Sequence, residues 1–388
     1  FSIRHRDLER WIGGGQKEEL FAGTTARTGA EDAWYETALI LELAKLQDNR
    51  LTGGGTDIFK CFDQIPFDLL LDLLTAGGCP RKVVRAYGNF HRDLVYHNSI
   101  AGSLGKPHKH FCGIPQGCPL SMTWIAFLLV PWVHAIRQVN CIPRALADDV
   151  IVTACGACHE ADFRAGYQLT LDYMHAIGVK VSHPKCFLFS TSHATRPKLA
   201  AHVWQGIMKT IPVVLHFRDL GAHASTGMRL IGVTLNDRLR AAHGLANKLA
   251  LTRWAYSTKQ DVISTLVLPT ALYGCETTPY AINEMGLLYT AIAKCIAPYN
   301  HLSSNPMAFS VSSPFNLDPI AEVLSRRIIG LRRCIAKHPR LRTIVDSIYR
   351  CYQYAGAHGT KFHQEYLQAL APAPPPSYQA YEPWKCPN

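Results

Sequence analysis

Long hydrophobic runs are missing from this chain. The longest, Met122 to Ile136, is interrupted by Pro131 and His134 and is shorter than the ~20 residues a spanning helix needs. It reads as a buried helix, and no membrane partner is expected. Acidic residues are scarce beside basic ones, 29 Asp and Glu against 40 Lys and Arg, for a formal charge of +11. That balance disfavours polycationic partners and suits polyanions, nucleic acid above all, with anionic membranes the other option. Regular cysteine spacing is lacking too. Thirteen cysteines are scattered without a framework, which points to a reducing, intracellular setting and away from secretion. Cys155-Gly-Ala-Cys158-His159 does match the attachment pattern of a c-type haem. No secretory signal precedes it, however, and no second Cys/His pair lies at zinc-ligand spacing, so chance explains it better. An initial Met is absent as well, and the chain, opening at Phe1, reads as a piece of a longer protein.

What remains is the composition of a globular protein, long enough for two or three subdomains. Residues 31–49 carry Ala33, Trp34, Thr37, Ala38, Ile40, Leu41 and Ala44 as an apolar stripe near the helical period, ended by Gly53-Gly54-Gly55. Pro66 to Leu74 reads as a helix closed at Gly77-Gly78. A strongly basic stretch, 81–111, leads to the glycine-rich turn Gly113-Ile-Pro-Gln116-Gly117-Cys-Pro119-Leu-Ser121. Ala161 to Ile177 is expected as a helix, Val179-Lys-Val181 as a strand, and 211–235 as a small antiparallel patch. From 238 the pattern becomes helical, over 238–268, 283–298, 318–337 and 341–355. Within 326–350, eight basic residues face one acid, Asp346; this is either a face for a nucleic-acid backbone, led by Arg326, Arg327, Arg332 and Arg333, or a solvated helix surface. The Pro-rich end, 371–388, reads as disordered.

The chemistry centres on 142–153, Ile-Pro-Arg-Ala-Leu-Ala-Asp148-Asp149-Val-Ile-Val-Thr. Its composition gives a strand, a tight turn carrying two acids, and a second strand. Paired carboxylates between apolar strands lose hydration, a cost that a divalent cation would offset. A solvent-exposed turn is the plainer alternative.

Taken in order, Asp57-Ile-Phe-Lys-Cys-Phe62-Asp63-Gln-Ile-Pro66, then Gly113 to Ser121, Ala147-Asp148-Asp149, Gly178-Val-Lys-Val-Ser-His-Pro-Lys185 and Phe217-Arg-Asp-Leu220-Gly221 resemble the five palm motifs of reverse transcriptases. Leu268-Pro-Thr-Ala-Leu-Tyr273-Gly274-Cys-Glu276 looks like the thumb sequence of non-LTR (LINE-type) retrotransposon enzymes. The resemblance covers about 20–280 and implies an α+β right-hand polymerase fold: an antiparallel palm sheet backed by helices, partial fingers and a helical thumb. The implied boundaries are 1–50 for partial fingers and 51–237 for the palm, with a fingers segment interleaved at about 78–112. A helical thumb or connection follows over 238–370, and the tail is 371–388.

The implied activity is transfer of deoxynucleotides to a primer 3′ end on an RNA template by two magnesium ions, with manganese as a substitute. Polymerases are a stated example of such two-metal sites. Implied partners are an RNA template, a DNA or RNA primer and deoxynucleoside triphosphates, in a nuclear or cytoplasmic ribonucleoprotein. Mg²⁺ takes hard oxygens and few carboxylates, so Asp57 and Asp148 would bridge the ions, with Asp149 a weaker ligand. Phe62 would sit beneath the incoming sugar and exclude a 2′-hydroxyl, unless it is ordinary core. Gln116-Gly117 would open a helix beside template and nucleotide, or be a plain turn. Lys185 would face the pyrophosphate, or be a surface lysine. Leu220-Gly221 would grip the primer. Asp63 reads as structural, capping the next helix. Arg27 resembles part of the fingers, whose earlier basic strand is not visible in the chain. A catalytically silent nucleic-acid-binding remnant of a retroelement is the competing reading.

Overall fold

Gly53-Gly54-Gly55, expected to end a helix, instead forms the middle of a strand. The protein is described here by a computed structural model covering residues 8–15, 17–23, 28–227, 232–296, 304–312 and 317–358, the side chains of 311–312 and 354–358 excepted. Arg27 and the Pro-rich tail, 371–388, lie outside the described residues. The chain divides into two compact units, residues up to 215 with 337–339, and 216–336 with the chain from 340.

The first unit begins with α1 (Glu9–Gly15), α2 (Ala30–Leu46), β1 (Leu51–Asp57), α3 (Cys61–Gln64), α4 (Phe67–Ala76) and α5 (Arg81–Asp93). Next come β2 (Ser99–Ile100), β3 (Ser103–Leu104), α6 (Ser121–Leu128), α7 (Val130–Gln138), β4 (Ile142–Leu146) and β5 (Asp149–Cys155). It continues with α8 (His159–Ala176), β6 (Phe187–Ser190) and α9 (Thr195–Ala200). The main sheet runs β4-β5-β1-β6 with every neighbour antiparallel. Its edges are covered by short parallel bridges, Leu20 to Ala145 on β4 and Val213 to Leu188 on β6, which blunts them against further pairing.

The glycines of β1 let large neighbours close over the strand. A Cβ on Gly54 would stand 2.7 Å from Leu188 Cδ2 and 2.9 Å from the Tyr167 ring; one on Gly55 would stand 2.6 Å from the Phe187 ring. A strand glycine is weak in itself, but it permits this close approach. On one face of the sheet Val150, Val152, Ala154 and Leu188 meet Phe163, Tyr167 and Leu171 of α8. On the other, Ile151 and Thr153 share a small cavity with Thr37 and Leu41 of α2, and buried Arg144 donates to the Ala33 carbonyl at 3.0 Å.

The single buried helix expected over 122–136 is two, α6 and α7, because Pro131 lies in the first turn of α7, where its missing N–H does no harm. The strand expected at 179–181 is reduced to one bridge, Val181 to Ile58.

The second unit holds the hairpin β7 (His216–Asp219) and β8 (Ala222–Ser225), then α10 (Val233–Ala250), α11 (Tyr256–Val262), a π-turn over Ile263–Val267 and α12 (Leu268–Leu272). It ends with α13 (Ile282–Ile296), α14 (Asn305–Ser312), α15 (Pro319–Lys337, whose last residue counts with the first unit) and α16 (Leu341–His358). Its core joins Leu239 and Ala246 of α10 to Ile263, Leu272, Leu288 and Ile292. The hairpin, expected with the palm, belongs to this helical unit because Arg238, Tyr273 and Thr278 bind its backbone. Among the described residues no helix is long and apolar enough to cross a membrane.

Candidate active site

Strand pairing brings the acids together from ninety-one residues apart. The β1–β5 register sets Asp57 directly opposite Asp149. Asp148 lies in the two-residue turn between β4 and β5, where Ala147 takes φ +54° and Leu146 pairs with Asp149. Burial raises the Asp148 pKa and the Asp57 charge adds to the rise; its own backbone N–H and the Lys185 ammonium oppose it.

Lys185 reaches Asp57 through a second pairing. Phe59 N donates to Lys180 O at 2.9 Å and Ser182 N to Asp57 O at 2.8 Å, and a 3₁₀ turn at His183–Lys185 then carries the lysine back. Its Nζ lies 3.2 Å from each carboxylate oxygen of Asp57 but donates only to Oδ1. Asp57 Oδ2 is buried and accepts no hydrogen bond.

Two residues near these groups escaped the sequence reading. The buried Cys61 thiol is pushed up to about 12, first by burial and then by the charges of Asp148 and Asp57. Gln64 donates to Phe59 O and accepts from Lys180 N at 2.9 Å, tying the segment after Asp57 to the segment that delivers Lys185. Neither has a sequence signal beyond its nearness to Asp57, since both roles depend on long-range pairing.

The donor set suits a divalent cation: a buried carboxylate oxygen on Asp57 that accepts no hydrogen bond and is faced by the Lys185 ammonium, and a second hard-oxygen donor, Asp148, in the turn across the ladder. Among the described residues no three His, Cys, Asp or Glu side chains form a ready-made cage. Asp57, Asp148 and Asp149 together are therefore not a preassembled three-ligand site, and exposed Asp149 stands apart in that respect.

Phe62 lies in α3 with its ring packed on the core yet partly open, and its carbonyl accepts from Ile114 N at 2.6 Å. The strip from Cys112 to Ile114 thus runs beside 62–66. Gln116 and Gly117 are exposed in a turn closed by Cys118 N to Pro115 O at 3.1 Å. They precede the helix instead of opening it: Gly117 takes φ +87° and Pro119 pushes Cys118 out of the helical region, so α6 starts only at Ser121. Asp63 is exposed and caps nothing; Pro66 holds the cap position of α4, with no side-chain bond there.

In the second unit Leu220 and Gly221 form the β7–β8 turn at φ +47° and +94°. Arg238 Nη1 donates to Gly221 O at 2.7 Å and to Tyr273 O at 2.5 Å, and Tyr273 Oη donates to Leu220 O at 3.2 Å. Tyr273, marked by the thumb phrase, therefore fastens the turn; Arg238 was not anticipated. Of the four arginines expected on a nucleic-acid face, two are held internally. Arg326 Nε donates to Glu322 at 2.7 Å, and Arg327 donates to the carbonyls of Cys275 and Thr278 at 2.9 and 3.0 Å over the Tyr280 ring. Arg332 and Arg333 are exposed.

An antiparallel sheet backed by helices, with Asp57, Lys185 and the Asp148-Asp149 turn at one end, is a polymerase-like fold. More narrowly, the chain belongs to the reverse transcriptase (RNA-dependent DNA polymerase) family, whose model matches residues 30–235, over half its length. Among solved structures it is similar to apo telomerase from Candida tropicalis, at 12% identity and TM-score 0.41, covering 90% of this chain and 60% of that one. It is also similar to telomerase from Candida albicans in complex with a fragment of telomeric RNA, at 12% identity and TM-score 0.42, covering 95% and 57%. A C-terminally truncated Candida tropicalis telomerase matches at 13% identity and TM-score 0.39, covering 58% and 42%. The chain thus spans about half the length of these structures. No curated protein matches it.

Proposed function

We propose that this chain copies RNA into DNA as a LINE-type reverse transcriptase, adding deoxynucleotides to the 3′ end of a DNA or RNA primer. One observation carries the reading: Asp57 holds Lys185 and lies across the β1–β5 ladder from the turn that carries Asp148. The LINE assignment rests on the phrase from Leu268 to Glu276.

Asp57 and Asp148 would hold two divalent cations, magnesium or manganese, with exposed Asp149 as an auxiliary donor. Once bound, these would supply Lewis-acid neutralisation of the triphosphate and acidify the primer hydroxyl. Lys185 would leave Asp57 for the pyrophosphate, donating a hydrogen bond or a proton as negative charge builds on it. Phe62 holds the deoxyribose face and clashes with a 2′-hydroxyl. The open turn at Gln116-Gly117 lets template and nucleotide approach backbone N–H groups. Leu220-Gly221 supports the primer, and Arg332 and Arg333 contact its backbone through charge, giving salt-sensitive binding with little sequence preference.

Primer extension on homopolymer RNA with magnesium tests this. The full chain should extend with deoxynucleotides, EDTA should stop it, and Asp148→Ala should reduce it to background. Phe62→Ala should improve ribonucleotide use by roughly 10–100-fold. RNA binding with no extension by the unmodified chain would instead favour the silent-remnant reading.

A further inference from the structure

Between the two acidic segments the chain makes an excursion that no role above uses. Residues 94–112 leave α5 and return as a two-stranded ribbon: Tyr96 and His108 exchange backbone hydrogen bonds at 2.9 and 3.0 Å, and Gly105 N donates to Asn98 O at 2.7 Å. Ser99 pairs with Leu104 and Ile100 with Ser103 across a tip in which Ala101 and Gly102 take positive φ. The pairing slips by one residue between Tyr96–His108 and Ser99–Leu104, a bulge that twists the ribbon. Its base is anchored beside Phe62, through the Pro66–Cys112 bridge and Gly113 N to Ile65 O at 2.9 Å.

A lone two-stranded ribbon cannot bury its own faces, and this one leaves large groups in water. Phe111 is 94% exposed, Ile100 77% and Leu104 72%. Beside Phe111, Tyr96, His108 and His110 gather with ring centroids 4.4–6.1 Å apart. Apolar exposure of this kind marks a binding surface. The charge around it narrows the partner. From 81 to 110 there are six exposed Lys and Arg (Arg81, Lys82, Arg85, Arg92, Lys106, Lys109) against one acid, Asp93. Arg81, Lys82, Arg85 and Asn89 share one exposed face of α5. Lys109 Nζ donates to Arg92 O at 3.0 Å, joining that helix to the base of the ribbon near Phe111.

We infer that the ribbon and the outer face of α5 form a second binding surface, for an unpaired RNA strand, additional to the carboxylate site. Phosphates lie along Arg81, Lys82 and Arg85, and a base stacks on Phe111. Unpaired strands are recognised by this combination of a basic track and exposed rings, whereas a duplex keeps its base faces hidden. The ribbon also offers His97, Asn98, Ser99, Ser103 and His110, all exposed, as partners for the 2′-hydroxyls of RNA. The choice of RNA rests on the reverse-transcriptase reading; the surface itself does not.

Fluorescence anisotropy with the full chain and a labelled, unstructured 12-nucleotide RNA, in EDTA and without nucleotides, tests it. Phe111→Ser should weaken binding about tenfold. The triple change Arg81→Glu, Lys82→Glu, Arg85→Glu should weaken it further and flatten the salt dependence by about 2 in slope, at ~0.7 per lost phosphate. Both variants should keep the parent's circular dichroism and its extension rate on a primer–template with a three-nucleotide overhang. Unchanged RNA affinity in both overturns the proposal. So does equal affinity for blunt duplex RNA or for a DNA strand of the same sequence, or a self-association that Phe111→Ser abolishes while RNA affinity holds. RNA binding that responds as expected in a chain that never extends a primer would sink the polymerase reading and leave this surface standing.

Discussion

A β-carbon on Gly53 has nowhere to go, since the Phe189 ring and the Thr153 methyl already occupy its place. Gly53→Ala should therefore destabilise the first unit by about 1–3 kcal/mol, the range for overpacking a filled core, read as a lower urea midpoint. Phe189→Leu in the same background should recover part of the loss, because it removes the group that is struck; an unchanged midpoint in the single variant would contradict the packing described here. The glycine triplet also shows where reading residues one at a time misleads. Three successive glycines look like a break, and only the positions of Phe187, Leu188 and Phe189 on the neighbouring strand explain why the side chains are missing. Asp57, by contrast, was marked by its place in a patterned string; its Oδ2 is buried, accepts no hydrogen bond and lies beside the Lys185 ammonium.

The hairpin β7–β8 is too short to stand alone, and its turn is held from outside. Tyr273→Phe deletes one hydrogen bond to Leu220 O and should lower stability by about 1 kcal/mol. Arg238→Met leaves the carbonyls of Gly221 and Tyr273 without that donor and should lower it by about 1–3 kcal/mol. Hydrogen exchange at the amides of 220–222 should quicken in both. If this turn grips the primer, the KM for primer–template should rise in both while the KM for nucleotide stays put; parent-like exchange would show that the clamp does not hold the turn. At this scale α2, α8, β4 and β5 fall close to where alternation and the helical period put them, whereas the single helix expected over 238–268 is α10, which starts earlier at Val233 and stops at Ala250, followed by the separate α11 and α12. The failures came where a local signal met a tertiary one: Pro131 splitting the buried helix, and Gly117 with Pro119 delaying the next.

Among the described residues, burial lowers the pKa of His91 to about 4 and those of His159, His202 and His223 in the same direction. Each is held neutral when folded and binds a proton more readily when unfolded. Their contribution to stability is thus complete above the unfolded value near 6.5 and is lost as pH falls through the folded values, down to about 4 for His91. The midpoint of thermal unfolding should drop between pH 7 and pH 5. His91→Phe, which keeps the stacking on Phe67 at 4.2 Å, should make that drop smaller; an equal drop in parent and variant would remove His91 from the account.

Local composition was enough for the acidic hairpin and the residues at its tip, because strand alternation and turn residues are written in neighbouring side chains, and the ordered motifs were enough for the α+β class through their resemblance to a family. Tertiary structure alone decided which charges are available. Arg326 and Arg327 look the same in sequence as Arg332 and Arg333, yet acceptors within the fold hold the first pair while the second faces water. Lys185, equally readable as a surface lysine, meets Asp57 because the 180–182 segment pairs with the end of β1. A string records which groups exist. Whether a charge is satisfied or free depends on distances set by pairings between residues far apart in the chain.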